Sequence, residues 1–381
     1  MESAKRIKVL QIIARMNVGG PAVIVADLMR GLDSSRFEQK LITGYCAENE
    51  ADYLETVATD ITATRVGGLG RSISPMADAK AFFALVALIK RERPDVIHTH
   101  TAKAGVLGRL AAILAGGSAV RIHTFHGHLL HGYFAGWKVK LVIAIEKFLA
   151  TKTDYLIAVG NQVKDDLLAA GIGTPDQFHT FFPGLPDPIA GTVEESRKTL
   201  GLDLDKTYCT FVGRLTQIKR PDRLLDVAAA AVARGLNVEF LVAGEGELFD
   251  ASQERAKKEK LPVTFLGWRK DIDQIFAASD IAILTSDNEG IPLTLIQAAQ
   301  AGLPIVAPRV GSIADIVIDG ETGFLTSTQA GAMASALSAL VTDIDLRDNL
   351  GMAGRAHARK YFSLAKSLKD HADLYEISQK Q

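Results

Sequence analysis

The chain has 381 residues, 48% of them hydrophobic and 23% charged, with a formal net charge of -1 at pH 7. Its length exceeds one ordinary core and suits two domains of roughly 150–200 residues each, in a globular composition. The near-neutral balance excludes the basic footprint of a nucleic-acid binder, and two distant cysteines, Cys46 and Cys209, exclude a disulfide or zinc framework and fit a reducing compartment.

"MESAKRIKVLQIIA" passes from a charged tip straight into a strand, with no cleavage site, so no signal peptide is expected. No apolar run nears the ~20 residues of a spanning helix, and the expected location is cytoplasmic. "IKVLQIIA" is followed by the glycine turn "NVGG" and the helical "PAVIVADLMRGL", where Pro21 suits a first helical position. "KLITGY" is a second strand and "PMADAKAFFALVALIKRER" an amphipathic helix stopped before Pro94. Strand "DVIHTH", helix "AGVLGRLAAILAG", strand "VRIHTFH", helix "KVKLVIAIEKFLATKT" and strand "DYLIAVG" close this series. Continuous apolar strands alternating with helices predict parallel sheets covered on both faces. The proline cluster "FFPGLPDP" (181–188) reads as a linker, after which "YCTFVG", "VEFLVAG", "VTFLG", "IAILTS" and "PIVAP" restart the rhythm. "SLAKSLKDHADLYEISQKQ" is a last amphipathic helix. The division is thus 1–183, 184–360 and a closing helix over 361–381. Two doubly wound domains facing each other would bring strand carboxyl ends to a common cleft.

Chemistry-bearing residues gather at those strand ends. "FVGRLTQIKR" sets Arg214 and Lys219 between a strand and a helix, where two cations can hold a diphosphate or simply form a solvated turn. In "NEGIPLTLI", Pro292 pre-sets a helical turn whose amides, with Gly290, Ile291 and Leu293 around them, suit an anion. Glu289 precedes that positive helix end and can accept sugar hydroxyls; helix capping explains the same pattern. Gly19 and Gly20 permit close backbone approach to a ligand, as they would in any tight turn, and the spacing is not that of a dinucleotide fingerprint. Gly244, Gly246 and the pair Gly267–Trp268 end strands and could line a base pocket, or Trp268 could pack. "HTFHGHLLHGYF" holds His123, His126, His128 and His131 without the companions of a zinc site; His126, just after a strand, is best placed to face a ligand. "HTHTAKAG" adds His98, His100 and Lys103 as acceptor-side candidates. The aspartate pairs at 203–205, 271–273 and 343–345 miss strand ends and read as surface acids, so neither metal nor cofactor is expected.

Together, the Gly19–Gly20 turn, "GRLTQIKR", "VAGEGEL", "FLGWRKDI" and "NEGIPLTLIQAAQAGLPIVA" resemble the retaining GT-B glycosyltransferases of family four, over nearly the whole chain and in order. "HTHTAKAGVLGRLAA" and "HTFHGHLLHGYF" resemble bacterial members that build surface polysaccharides. The resemblance implies an α/β GT-B fold of two Rossmann-like domains facing a central cleft, with the last helix packed back on the first. It implies a nucleotide-diphosphate sugar, UDP-sugar favoured, held mainly by the second domain, a glycan or lipid-linked acceptor held by the first, and metal-independent transfer with retained configuration. Arg214 and Lys219 match the diphosphate pair, and Glu289 matches the first acid of the family's Glu-x7-Glu motif. The second acid, which binds the ribose in relatives, is Gln297 here. An amide keeps an acceptor oxygen there in weaker, neutral form. His126 is an acceptor-side or sugar-contacting residue.

Two other functions remain open on sequence: a sugar-nucleotide 2-epimerase of the same layout, and a sugar-nucleotide-binding subunit with weakened catalysis, which Gln297 motivates. "HGYFAGWKVKLVIAIEKF" mixes aromatic, aliphatic and lysine residues as interfacial helices do, and a buried helix has a similar look. Peripheral contact with the inner face of a membrane is one expectation from it.

Overall fold

The computed structural model describes residues 5–48, 50–127 and 137–379. His128 and His131 lie outside them. The chain forms two compact units, Met1–Gly184 with Leu364–Gln381, and Leu185–Ser363.

The first unit is built on strands β1 (Ile7–Ile13), β2 (Phe37–Thr43), β3 (Ala63–Arg65), β4 (Val96–His100), β5 (Val120–Phe125), β6 (Tyr155–Ala158) and β7 (Phe178–Thr180). They form one parallel sheet in the order β3-β2-β1-β4-β5-β6-β7. Helices cover both faces. Leu10, Ile12, Ile42 and Ile97 meet Leu85 and Ile89 of the helix Pro75–Glu92 on one side. On the other, Val9, Phe37, Val96, Ile122 and Ile157 meet Leu28 and the chain's last helix, Leu364–Ile377, which contributes Ala372, Leu374 and Tyr375. That helix seats so closely that a Cβ on Gly31 would lie 2.4 Å from Leu368.

The second unit carries β8 (Thr207–Val212), β9 (Val238–Ala243), β10 (Val263–Gly267), β11 (Ile281–Ile283), β12 (Ile305–Pro308) and β13 (Gly323–Thr326), parallel in the order β10-β9-β8-β11-β12-β13. Phe211, Phe240, Leu241, Ile281, Ile283 and Val306 are buried along its centre. Strands buried on both faces account for the unbroken apolar runs.

Strand order reverses between β1 and β4 in the first unit and between β8 and β11 in the second, and loops leaving such switch points form the ligand crevice of open α/β sheets. Each switch point also carries a non-glycine residue at positive φ: Thr101 at 66° just after β4, and Arg220 at 53° before the helix Pro221–Ala233. Such conformations cost of order 1–3 kcal/mol and persist where surrounding bonds hold them.

Candidate active site

In the second unit the loops after β8 and β11 are laced together. Asp287 N–H donates to Ile218 O at 2.9 Å, and Thr285 Oγ1 donates to Lys219 O at 2.9 Å and Arg220 O at 3.1 Å. Arg223, nearly buried, donates to Thr285 O at 2.5 Å and to Asp287 at 2.5 Å. Arg220, in left-handed backbone, spans Asp222 and Asp287. These bonds present Lys219 to Glu289: Nζ donates to Oε1 at 2.5 Å, with the two side chains only 20% and 10% exposed. Ser286 Oγ donates to the same oxygen at 2.5 Å.

Arg214 stands on the same loop, exposed, and its guanidinium has no acid partner among the described residues. Its loop is fixed by its neighbours instead, since Leu215 N–H donates to Glu245 O at 2.9 Å and Leu248 N–H to Leu215 O at 3.0 Å. The glycines after β9 serve this contact. At Gly244, φ is 138° and a Cβ would lie 2.0 Å from Gly213 O; at Gly246, φ is 154° and it would lie 2.5 Å from Leu215 O. Gly267 ends β10 with φ 67°, and Trp268 beside it is 47% exposed, under the Lys270 ammonium at 5.5 Å.

The helix after β11 starts one residue later than Pro292 suggested. Pro292 is its N-cap, and the helix runs Leu293–Gln300. Leu295 and Ile296 N–H return to Pro292 O, whereas Leu293 and Thr294 N–H have no backbone acceptor among the described residues, which is the donor geometry of an anion site. Gln297 lies one turn beyond Leu293 on the same face, half-buried and with no side-chain hydrogen bond among the described residues. Gln300 is different: it is 2% exposed and donates to Leu185 O at 3.1 Å. Gly290 O accepts from Ser312 N–H at 3.2 Å, and Ile291 is half-buried beside it.

Ser286, Gly311 and Ser312 were not among the sequence candidates. Gly311 has φ 52°, and a Cβ there would lie 1.7 Å from Glu289 O, so the backbone of Glu289 rests directly on that glycine. The Ser312 hydroxyl is buried with no partner among the described residues. The polar run "TSDNEG" beside Glu289 is the signal that would have found the first of these, and "RVGS" after β12 offers only a lone glycine.

In the first unit Gly19 is the N-cap of the helix Gly20–Gly31, in extended backbone, and a Cβ added to it would meet Asn17 O no closer than 3.8 Å. The histidines differ from expectation. His98 and His123 are buried within β4 and β5 rather than at their ends, whereas His100, equally buried, is the last residue of β4 and does stand at a strand end. His98 Nδ1 meets Tyr375 OH at 2.6 Å and Nε2 meets Thr124 Oγ1 at 2.7 Å, while His123 Nδ1 meets Thr99 Oγ1 at 2.8 Å. Lys103 is tied to Asp78 at 2.6 Å. His126 does follow the carboxyl end of β5; its Nε2 meets His100 Nδ1 at 3.0 Å, and its Nδ1 is buried with no partner among the described residues. Burial pushes the His126 imidazole down to about 3, so it is neutral at pH 7.

A family model described as glycosyl transferases group 1 matches residues 192–357, and one described as a glycosyl transferase 4-like domain matches residues 19–184. An Escherichia coli protein, UDP-Gal:alpha-D-GlcNAc-diphosphoundecaprenol alpha-1,3-galactosyltransferase, is 31% identical over 358 residues, 90% of each chain. The chain belongs to the group 1 glycosyltransferases. This is the family that the motifs resembled, and its α/β GT-B fold is shared by solved structures at lower identity. Sucrose-phosphate synthase from Thermosynechococcus elongatus superposes with a TM-score of 0.83 at 21% identity, over 97% of this glycosyltransferase and 98% of that chain. Anabaena HepE, solved with UDP-glucose, gives 0.81 at 19% identity, over 97% and 100%.

Proposed function

We propose that this glycosyltransferase moves a hexosyl or related sugar from a UDP-sugar to a hydroxyl of a glycan or lipid-linked acceptor in polysaccharide synthesis, with retained configuration and without a metal. The observation that carries it is the constellation at the β8–β11 switch point: Arg214, the Lys219–Glu289 pair and the free amides of Leu293 and Thr294. The acceptor oxygen bonds to the anomeric carbon as the carbon–oxygen bond to the diphosphate breaks; the leaving group departs with that electron pair, and the acceptor hydroxyl's proton passes to a diphosphate oxygen. Arg214, Lys219 and the helix amides stabilise the charge growing on it, as preorganised donors do in water-poor sites. Two cations and a helix end supply there what a divalent ion would supply in other enzymes.

Glu289 positions the transferred sugar, Gln297 meets the ribose, and Gly244, Gly267, Trp268, Gly290, Ile291 and Pro292 wall the nucleotide. Gly19, Gly20 and His126 serve the acceptor side or a sugar hydroxyl. UDP is favoured because the Escherichia coli relative is named for UDP-Gal and HepE was solved with UDP-glucose.

The lipid-linked form of the acceptor draws support from the helix Trp137–Ala150, where Leu141, Ile145 and Phe148 are 49%, 37% and 53% exposed along one side and Lys140 and Lys147 are exposed nearby. A face of that kind suits peripheral contact with an anionic membrane. Among the described residues no helix is long and apolar enough to cross one.

The test is transfer from a panel of UDP- and GDP-sugars to a polyprenyl-diphosphate saccharide, with NMR of the product's anomeric proton. Transfer from a UDP-sugar with the donor's configuration, undiminished by EDTA, is expected. Inversion, or an epimerised nucleotide sugar formed without acceptor, overturns the reading.

A further inference from the structure

A chain of hydrogen bonds runs through the first unit from the main chain of one helix to the imidazole of His126, and each link has only one workable direction. Gln39 Nε2 donates to Leu28 O at 2.9 Å and to Met29 O at 3.4 Å, so its amide nitrogen faces two acceptors and its Oε1 is left to accept. Gln11, fully buried, supplies that donor from Nε2 at 3.3 Å, and the same nitrogen donates to Tyr375 OH at 3.1 Å. Gln11 Oε1 must then be the acceptor that faces His100 Nε2 at 2.9 Å. A neutral imidazole carries one proton, so a donating Nε2 leaves His100 Nδ1 bare. His100 Nδ1 therefore accepts from His126 Nε2 at 3.0 Å, and the lone pair of His126 falls on Nδ1, the buried nitrogen that has no partner among the described residues. The reverse order would set the bare Nε2 of His100 against Gln11 Oε1, two acceptors in a buried site, where an unmade bond costs about 1–3 kcal/mol.

We propose that Gln39, Gln11 and His100 are positioning residues that hold His126 as its Nε2–H tautomer, so that His126 offers its substrate an acceptor at Nδ1 and selects a hydroxyl rather than a phosphate. The proposal rests on the reading of His126 as a substrate-contacting residue. The C-terminal helix belongs to the same network. Tyr375 OH takes the second Gln11 hydrogen and gives its own to His98 Nδ1, and His98 Nε2–H then donates to Thr124 Oγ1. The donors of Gln39, Gln11, Tyr375, His98, His100 and His126 are thus each used, and Nδ1 of His126 is the acceptor left over.

The experiment is 15N NMR of histidine-labelled full-length protein, with His126 assigned by its loss in His126→Gln, beside kcat and KM for transfer. Wild type is expected to show a pyridine-like Nδ1 and a protonated Nε2 at His126. A protonated Nδ1 there overturns the relay whatever the activity. Gln11→Met removes the acceptor that fixes His100, and is expected to move His126 toward the Nδ1–H form and lower kcat/KM about tenfold, with a lowered Tm because Gln39 Oε1 and Tyr375 OH lose their buried donor. Gln11→Glu keeps an oxygen facing His100 and is expected to restore the wild-type tautomer. An unchanged tautomer in a folded Gln11→Met also overturns the proposal; if that variant does not fold, the wild-type spectrum decides alone. His126→Ala with full turnover would instead reject the substrate contact while leaving the tautomer result intact.

Discussion

Lys219 Nζ lies 2.5 Å from Glu289 Oε1, so the cation proposed for the diphosphate and the carboxylate proposed for the sugar neutralise one another across the β8–β11 switch point. Ser286 holds the same carboxylate oxygen, which leaves the other oxygen of Glu289 as the one for a sugar hydroxyl. The pair sits where the laced loops allow little movement. Such an arrangement sets both charges in place before a donor arrives, which is the condition for preorganised stabilisation of a leaving group.

Lys219→Ala and Arg214→Ala are each expected to lower turnover by about 30- to 1000-fold, the ~2–4 kcal/mol that one donor to a developing anion supplies. Arg214 is exposed and unpaired among the described residues, so its variant should keep the wild-type Tm. Lys219→Ala leaves Glu289 without its cation and should show a small loss of stability as well. Turnover at saturating donor, measured beside thermal unfolding, checks both; near wild-type turnover in either variant rejects the diphosphate role of that residue.

Gln297→Glu is expected to tighten UDP by about 1 kcal/mol, several-fold in affinity, since a charged acceptor bonds hydroxyls more strongly than an amide. Gln297→Ala should weaken it and leave the fold intact, because the side chain has no bond to lose among the described residues and alanine favours the helix. Calorimetric titration of UDP and GDP into the three proteins gives the comparison. Equal affinities would mean that Gln297 does not meet the nucleotide.

Gly311→Ala tests the support beneath Glu289. Its Cβ would lie 1.7 Å from Glu289 O, at a φ of 52° that alanine adopts with strain, so the backbone of Glu289 must move. Turnover is expected to fall at least tenfold in a protein that still folds and loses about 1–3 kcal/mol of stability. Wild-type kcat with lowered Tm alone would show that the exact place of Glu289 is immaterial.

The histidines predict an acid limit. Burial holds His98, His100 and His123 well below the usual 6.5, lowers His371 and brings His126 to about 3. Each binds its proton more readily unfolded than folded, so the stability they confer is whole above pH 6.5 and is lost as pH falls below it. Asp27 has the opposite sign: burial raises it to about 6, so its contribution declines as pH rises from 3.8 toward 6. One carboxyl against five imidazoles leaves a net fall in the urea midpoint between pH 6.5 and 5, above the range of ordinary carboxylates. A flat midpoint over that window would contradict the buried, neutral network.

Strands such as "IKVLQIIA" and "VEFLVAG" declare themselves because burial on both faces demands unbroken apolar character. The edge strands β3, β7 and β13 ("ATR", "FHT" and "GFLT") escape a sequence reading, being short and without the continuous apolar character that equally short central strands such as "IAI" carry. The phosphate-type loops after β8 and β11 are legible because their residues are close in sequence to a strand end and a helix start. The histidines are not. His98 and Gln11 find a partner in Tyr375 at sequence separations of 277 and 364, and no local pattern announces a bond over that distance. Gly311 is hidden for a related reason: only the fold brings it beneath Glu289.

Because Leu364–Gln381 belongs to the first unit, the second unit is an insertion: the chain leaves at Gly184 and returns at Leu364, and Leu185 and Ser363 pair where it begins and ends. Domains are commonly completed in the order of their synthesis. Here the unit begun first on the ribosome is finished after the second, for its core lacks Leu374 and Tyr375 until the helix Leu364–Ile377 has been made. A transcript stopped after Ser363 would release an intact second unit joined to a sheet with Val9, Phe37 and Ile122 uncovered and with His98 and Gln11 stripped of their tyrosine. A chain cut short at that point forfeits the bonds of Tyr375 to Gln11 and His98, while the links from Gln11 through His100 to His126 lie wholly in the part already made.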